Sequence, residues 1–158
     1  MGTSIDVLES RLLFNLKLNV AYDRIQNIGQ LPQGARIVAP IDGGEFEGPL
    51  LRGAVLPGGA DWVVFRGDGA MLIDVRVTLQ TDDDARIYMQ YRGIAHAAPE
   101  IMTRFNRREV LPYPSFYART VPSFETGAAR YAWLNKIIAV ANGARTADGP
   151  EYRVFEIL

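Results

Sequence analysis

Met71-Leu72-Ile73-Asp74-Val75-Arg76-Val77-Thr78-Leu79-Gln80-Thr81 alternates without a break: Met71, Ile73, Val75, Val77 and Leu79 share one face, and Leu72, Asp74, Arg76, Thr78 and Gln80 the other. Successive side chains of an extended chain point to opposite sides, so the stretch is a strand with one face made for a core. Upstream, Asp61 to Arg66 reads as a strand and Gly67-Asp68-Gly69 as a hairpin turn. Downstream, Asp82-Asp83-Asp84 turns the chain into Arg86 to Gly93, where Ile87, Met89 and Tyr91 oppose Arg86, Tyr88, Gln90 and Arg92. The segments form an antiparallel meander.

The same alternation recurs on both sides. Leu12, Phe14, Leu16, Leu18 and Val20 share one face of a strand, and Glu151 to Leu158 closes the chain on another. Tyr22 to Gly34 reads as a linker, Ala35 to Ala39 as a short run stopping at Pro40, and Leu50 to Val55 as a strand. Gly43-Gly44-Glu45-Phe46-Glu47-Gly48-Pro49 is too glycine-rich for an ordinary strand and predicts a bulge or bent corner. Pro99 to Glu109 predicts a short helix, because Pro99 suits a first helical position and Ile101, Met102 and Phe105 fall together. Ser115 to Thr120 reads as a strand and Pro122 to Gly127 as a loop, while Tyr131 to Asn142 fits a helix or a buried strand. The expectation is an all-β single domain over residues 1–158, barrel or sandwich, of about 8–10 strands, with at most one or two short helices and residues 1–9 flexible.

Composition narrows the function. The chain has 158 residues, 48% apolar and 22% charged, the balance of one globular domain. Seventeen basic against eighteen acidic side chains leave a net charge of -1, which argues against nucleic acid or anionic lipid as partner. Cysteine is absent, excluding disulfides, thiolate nucleophiles and cysteine-ligated metal, and fitting a reducing compartment. Met1 to Ser10 carries Asp6 and Glu9 without the apolar core of a signal peptide, and the longest apolar run, Ile137 to Ala141, is too short to span a membrane. A soluble cytoplasmic protein is expected.

Several glycine-rich signatures occur in order: Gly43-Gly44-Glu45-Phe46-Glu47-Gly48-Pro49, Arg52-Gly53, Pro57-Gly58-Gly59-Ala60-Asp61-Trp62 and Asp68-Gly69. Later come Thr81-Asp82-Asp83, Phe116-Tyr117-Ala118-Arg119-Thr120, Phe124-Glu125-Thr126 and Tyr131-Ala132-Trp133-Leu134-Asn135. The combination covers most of the chain and resembles the bacterial and fungal family known as domain of unknown function 3237. The resemblance implies a compact single closed antiparallel β-barrel and a strand over Leu134 to Val140; it implies no reaction. Asp84 departs from the pattern, standing where glycine is expected, a substitution that a tight turn tolerates because Asp visits the left-handed region readily.

Two groups of residues suit a site. Asp74, Arg76 and Thr78 form one if they point inward with Tyr88 or Arg92; pointing outward they are a solvated face. Arg119, Glu125, Tyr131, Trp133 and Asn135 combine an arginine for an anionic group, a carboxylate for proton transfer, aromatic walls and an orienting amide. Their alternative is a structural Arg119–Glu125 ion pair with Trp133 in the core. Asp61, before Trp62, reads as a turn aspartate bonding its own backbone or as a catalytic carboxylate, and Trp62 joins the candidate ligand-binding residues. Asp68 is turn chemistry. His96, the single histidine, excludes a multi-histidine metal site and is a structural residue or a lone base. Asp82, Asp83 and Asp84 lack the spacing of a calcium loop. No phosphate loop, nucleophile elbow or dinucleotide fingerprint is present, so neither a metal nor an organic cofactor is expected.

The expected function is binding of a small, partly apolar, oxygenated or anionic molecule in the barrel. As an enzyme, such a protein would be a cofactor-free lyase or isomerase, with Glu125 or Asp74 as base and Tyr88, Tyr131 or Arg119 as acid or oxyanion donor. Arg76, Arg92, Trp62, Trp133 and Asn135 would hold the ligand. The alternatives are a non-catalytic carrier or sensor and a structural oligomerisation module. Phe116, Tyr117 and Phe155 suit a homodimer contact.

Overall fold

Ten strands alternate with one α-helix and two 3₁₀ segments in the computed structural model, which describes residues 6–158. The strands are β1 (Ser10–Val20), β2 (Gln26–Leu31), β3 (Gly34–Glu47), β4 (Arg52–Val55), β5 (Gly59–Phe65), β6 (Met71–Thr81), β7 (Arg86–His96), β8 (Tyr117–Glu125), β9 (Ala139–Arg145) and β10 (Pro150–Ile157). The α-helix α1 is Pro99–Asn106, and the 3₁₀ segments are Tyr22–Arg24 and Ala129–Lys136. The flexibility expected of residues 1–9 lies, for 1–5, outside the described residues.

Pairing runs β1-β10-β9-β8-β7-β6-β5-β3 and returns to β1, all antiparallel, closing an eight-strand barrel. β4 shares the seat of β5 between β3 and β6, and β2 pairs only with β3, outside the ring. Closure removes the free edges that an open sheet would expose. The alternation in β6 is realised residue by residue: Met71, Ile73, Val75, Val77 and Leu79 are buried inside, and Asp74, Arg76 and Thr78 face outward.

The glycine-rich corner is part of a strand. β3 runs through it as one 14-residue strand that changes partners, from β2 and β5 in its first half to β1 and β4 in its second. Val20 pairs with Ile41 and Asn19 with Gly43, so Asp42 is the extra residue of a bulge that bends the strand. At Gly44, with φ +150°, a Cβ would lie 2.1 Å from the Lys17 carbonyl oxygen; only glycine lets β1 and β3 approach there.

Several expectations need correction. Leu12 does not share the face of Phe14: a bulge between them turns Leu13 inward at 0% exposure and leaves Leu12 exposed. The run from Ala35 does not stop at Pro40, which β3 passes through opposite Ala60. Within Tyr22 to Gly34, read as a linker, Gln26–Leu31 is a strand, whose polar, exposed residues carry no alternation. Pro122 to Gly127, read as a loop, mostly continues β8: Pro122 lies beyond the last β8–β9 pair, Thr120↔Ala141, where a strand tolerates proline. Leu134 is in a 3₁₀ segment, and the strand begins only at Ala139. The helix over Pro99–Asn106 forms with Pro99 in its first turn, three residues shorter than read.

Core packing divides the interior. At the end where β6 finishes, Phe14 meets Phe46 and Phe124 edge to face, at 5.4 and 6.0 Å between ring centroids. Leu134 and Tyr131, from the second 3₁₀ segment, plug that end, Leu134 at 1% exposure. The opposite end, where β6 begins and β7 finishes, is capped by α1 and leaves a cavity.

Candidate functional site

The cavity measures about 210 Å³, and most of its wall is aliphatic or aromatic: Leu18, Ile41, Val63, Ile73, Val75 and Phe116 among others. An apolar space of about 150 Å³ accepts benzene, so one ring with a substituent or two fits here. The polar groups that reach it fall into two sets.

The first set sits on one cross-strand row. Asp61 of β5 pairs with Val75 of β6, and Val75 with Tyr91 of β7, placing all three on the inner face. Asp61, Val63 and Phe65 line the cavity at every second position, as alternation along β5 requires. Asp61 accepts a hydrogen bond of 3.1 Å from the Asp74 backbone N–H. The exposure it keeps is toward the cavity. Burial pushes its carboxyl up from 3.8 to about 7, against the lowering effect of that hydrogen bond, and the nearby Asp74 carboxylate adds to the rise.

Tyr91 and Tyr152 stand beside Asp61, their rings 5.2 Å apart and edge to face. Burial raises both phenols well above their ordinary range. Tyr152 and then Asp61 raise Tyr91 further, and Asp61 adds to the rise of Tyr152, so both are protonated donors at neutral pH. Tyr91 Oη is buried without a hydrogen-bond partner.

The second set lies at the mouth. Arg145, at the end of β9 and 7% exposed, donates from Nη2 to Tyr22 Oη and stacks on Phe105 of α1, 4.4 Å from the ring centroid. Arg108, just past α1, stacks on the other aromatic of this group, Tyr22, at 4.0 Å. Burial lowers the proton affinity of Arg145, partly offset by Tyr22. Among the described residues, no group of His, Asp and Glu is arranged to hold a metal ion.

Of the residues weighed from the sequence, Asp61 lines this cavity, as does Phe116, expected as a dimer contact; the two candidate groups built around Asp74 and around Arg119 do not. Asp74, Arg76, Arg92 and Trp62 do come together, on the outer face of β5–β7: Arg92 lies 3.8 Å from Asp74, and Arg76 covers the Trp62 ring at 5.3 Å. Tyr88, on the same face, donates to Gln90 Oε1. Tyr131 donates to Asp83 Oδ1 at 2.7 Å, Asn135 exchanges hydrogen bonds with the Thr126 backbone, and Trp133 packs against the core, all at the plugged end. Glu125 ends β8 in solvent, opposite Tyr88, without an ion pair to Arg119. Arg119 lies over Tyr117, which stacks on His96, outside the barrel. Asp68 bonds the Ala70 N–H and pairs with Arg66, as a turn aspartate does.

Asp61 takes up the second of its two sequence readings, a carboxylate in a site, while Tyr91, Tyr152, Tyr22, Arg145 and Arg108 are not among the sequence's candidates. Their signal was available in part: Tyr91 shares the apolar face of Ile87 and Met89, and a hydroxyl on an inward face needs a partner inside.

Comparison with known proteins gives the same architecture. An UPF0311 protein of Rhodopseudomonas palustris is 32% identical over 151 residues, covering 96% of this chain and 97% of that one. A crystal structure of a conserved protein of unknown function from the same species superposes with a TM-score of 0.91 at 31% identity, covering 98% of this chain and all of that one. A crystal structure described as an enzyme from Penicillium herquei reaches a TM-score of 0.73 at 20% identity over the full length of both chains, a likeness of fold. A family profile described as "Protein of unknown function (DUF3237)" matches residues 9–157, and the chain therefore belongs to the DUF3237 family.

Proposed function

We propose that the protein binds a small, largely apolar ring compound carrying a carbonyl or enolic oxygen, and moves a proton on it without a cofactor. The observation that supports this reading most is a carboxyl with a pKa of about 7, inside an apolar cavity, next to two protonated phenols. A general base works best when its pKa lies near the working pH, and a pre-set O–H donor stabilises an oxyanion in a dry site.

The step balances simply. The ionised Asp61 takes a proton from the carbon next to the carbonyl, the C–H electrons form a C=C bond, and the carbonyl electrons move onto oxygen. Tyr152, which lines the cavity, donates a hydrogen bond to that oxygen, with Tyr91 packed edge to face behind it. Where the enolate is conjugated, Asp61 returns the proton to the far carbon, giving an isomer; alternatively the enolate re-forms the carbonyl and expels a β-substituent, which leaves with its bonding electrons and takes the proton from Asp61.

Solvent exchange tests the reading. Small cyclic ketones in D₂O, followed by proton NMR, should lose their α-hydrogens faster with the protein present, with a rate that rises through about pH 7. Asp61→Asn should lower that acceleration roughly 10²–10⁴-fold, with an unchanged circular dichroism spectrum. Exchange that survives Asp61→Asn would refute the assignment. Ketone binding without exchange would favour a carrier.

A further inference from the structure

We propose that the molecule bound in the cavity carries a carboxylate, held at the mouth by the guanidinium groups of Arg145 and Arg108. The inference rests on the cavity being a ligand site and adds the class of ligand.

Two cations line one small cavity, and neither has a carboxylate partner among the described residues: all the ion pairs there involve other arginines. Both guanidiniums are instead packed on aromatic rings, with Tyr22 shared between them at 4.0 and 5.5 Å. Arg145 is buried and feels the like charge of the exposed Arg108 beside it, an unfavourable pairing that an anion between them would relieve. Arg145 shows where that anion would go: its Nε is shut off by packing and one Nη2 hydrogen is taken by Tyr22, so Nη1 and the second Nη2 hydrogen are the donors an anion would meet. A guanidinium presents its donors as a planar fork, and the group matching that fork in a space of this size is a carboxylate.

Backbone geometry agrees. Arg108 has φ +62°, a left-handed conformation that glycine usually supplies after a helix, yet an arginine stands there. Its N–H bonds the Phe105 carbonyl at 3.0 Å, fixing the end of α1 and aiming the side chain across Tyr22. Together the two sets of polar groups define a ligand with a carboxylate at the mouth and an oxygen function deeper, by Asp61.

Calorimetry with benzoate and its neutral isostere benzamide tests the proposal. The whole protein should bind benzoate at least about tenfold more tightly than benzamide, as a charge-assisted pair implies. Arg108→Gln, a change at an exposed side chain, should remove most of that preference. Arg145→Lys, which keeps the charge and loses the fork, should weaken benzoate more than benzamide. Glu125→Gln, in solvent and away from the cavity, should leave the preference intact. Equal affinity for benzoate and benzamide would overturn the carboxylate inference and leave the cavity reading standing. Binding of neither, nor of any cyclic ketone, would overturn both. A preference surviving in both arginine variants would also refute it, by placing the anion elsewhere.

Discussion

Asp61 ties the site to the stability of the protein. Its carboxyl titrates near 3.8 unfolded and at about 7 folded, so between these values the folded state holds a proton that the unfolded state has lost. Stability from this group is therefore full below about pH 4 and declines as pH rises to about 7, by at most about 4 kcal/mol. Asp61→Asn should remove that decline, raising Tm at pH 8 by up to about 8–16 °C and changing it little at pH 4, in a pH series of thermal melts. Arg108→Gly should show a similar opposition between site and fold. Relief of the left-handed φ should stabilise by about 0.5–1 kcal/mol in urea titration, while benzoate affinity falls. Glu125→Gln and Asp74→Asn, outside the cavity, should leave binding unchanged. The site was hard to read because a polar residue on an alternating strand signals an outward face, as Asp74 and Arg76 show. Asp61 defies that rule, and the preceding Gly58-Gly59 disguised it as a turn residue. Arg145 gave no pattern at all, since its environment is made by α1 and Tyr22 from distant parts of the chain.

Elements made of local alternation were the legible ones. β1, β6, β7 and β10 were visible because period two needs nothing but neighbours, and the bend in β3 because its glycines are consecutive. The 3₁₀ plug was not, because its fold depends on what it covers: Leu134 is buried in the core formed by the strands, and Tyr131 is fixed by Asp83 at the plugged end. Leu134→Ala should destabilise by about 2–5 kcal/mol in denaturant, with ligand binding at the other end preserved. Asp83, held down to about 2 chiefly by its hydrogen bonds from Thr81 and Tyr131, supports the plug above about pH 4 and releases it as pH falls toward 2. The late family signature, from Phe124 to Asn135, is thus explained by closing the barrel.

At the scale of the molecule, the barrel wall is continuous and α1 is the part that can yield. The helix has no buried residue, and its hold on the barrel is Ile101 against the core and Phe105, which meets Phe116 at 5.6 Å and lies under Arg145. Hydrogen exchange should therefore be fast over residues 99–110 and slow in β6 and β7, with benzoate slowing the former alone. The ring itself closes late in the chain: Ser10 pairs with Ile157, and Leu16 with Tyr152. Partners so far apart in sequence give the fold a high contact order, and such topologies assemble in milliseconds to seconds. On the ribosome, β1 can find β3 early but must wait for β10, and β10 carries Tyr152. The pocket thus comes into being only when β10 joins the strands that precede it, and a ligand can reward only a closed barrel, never guide the making of one.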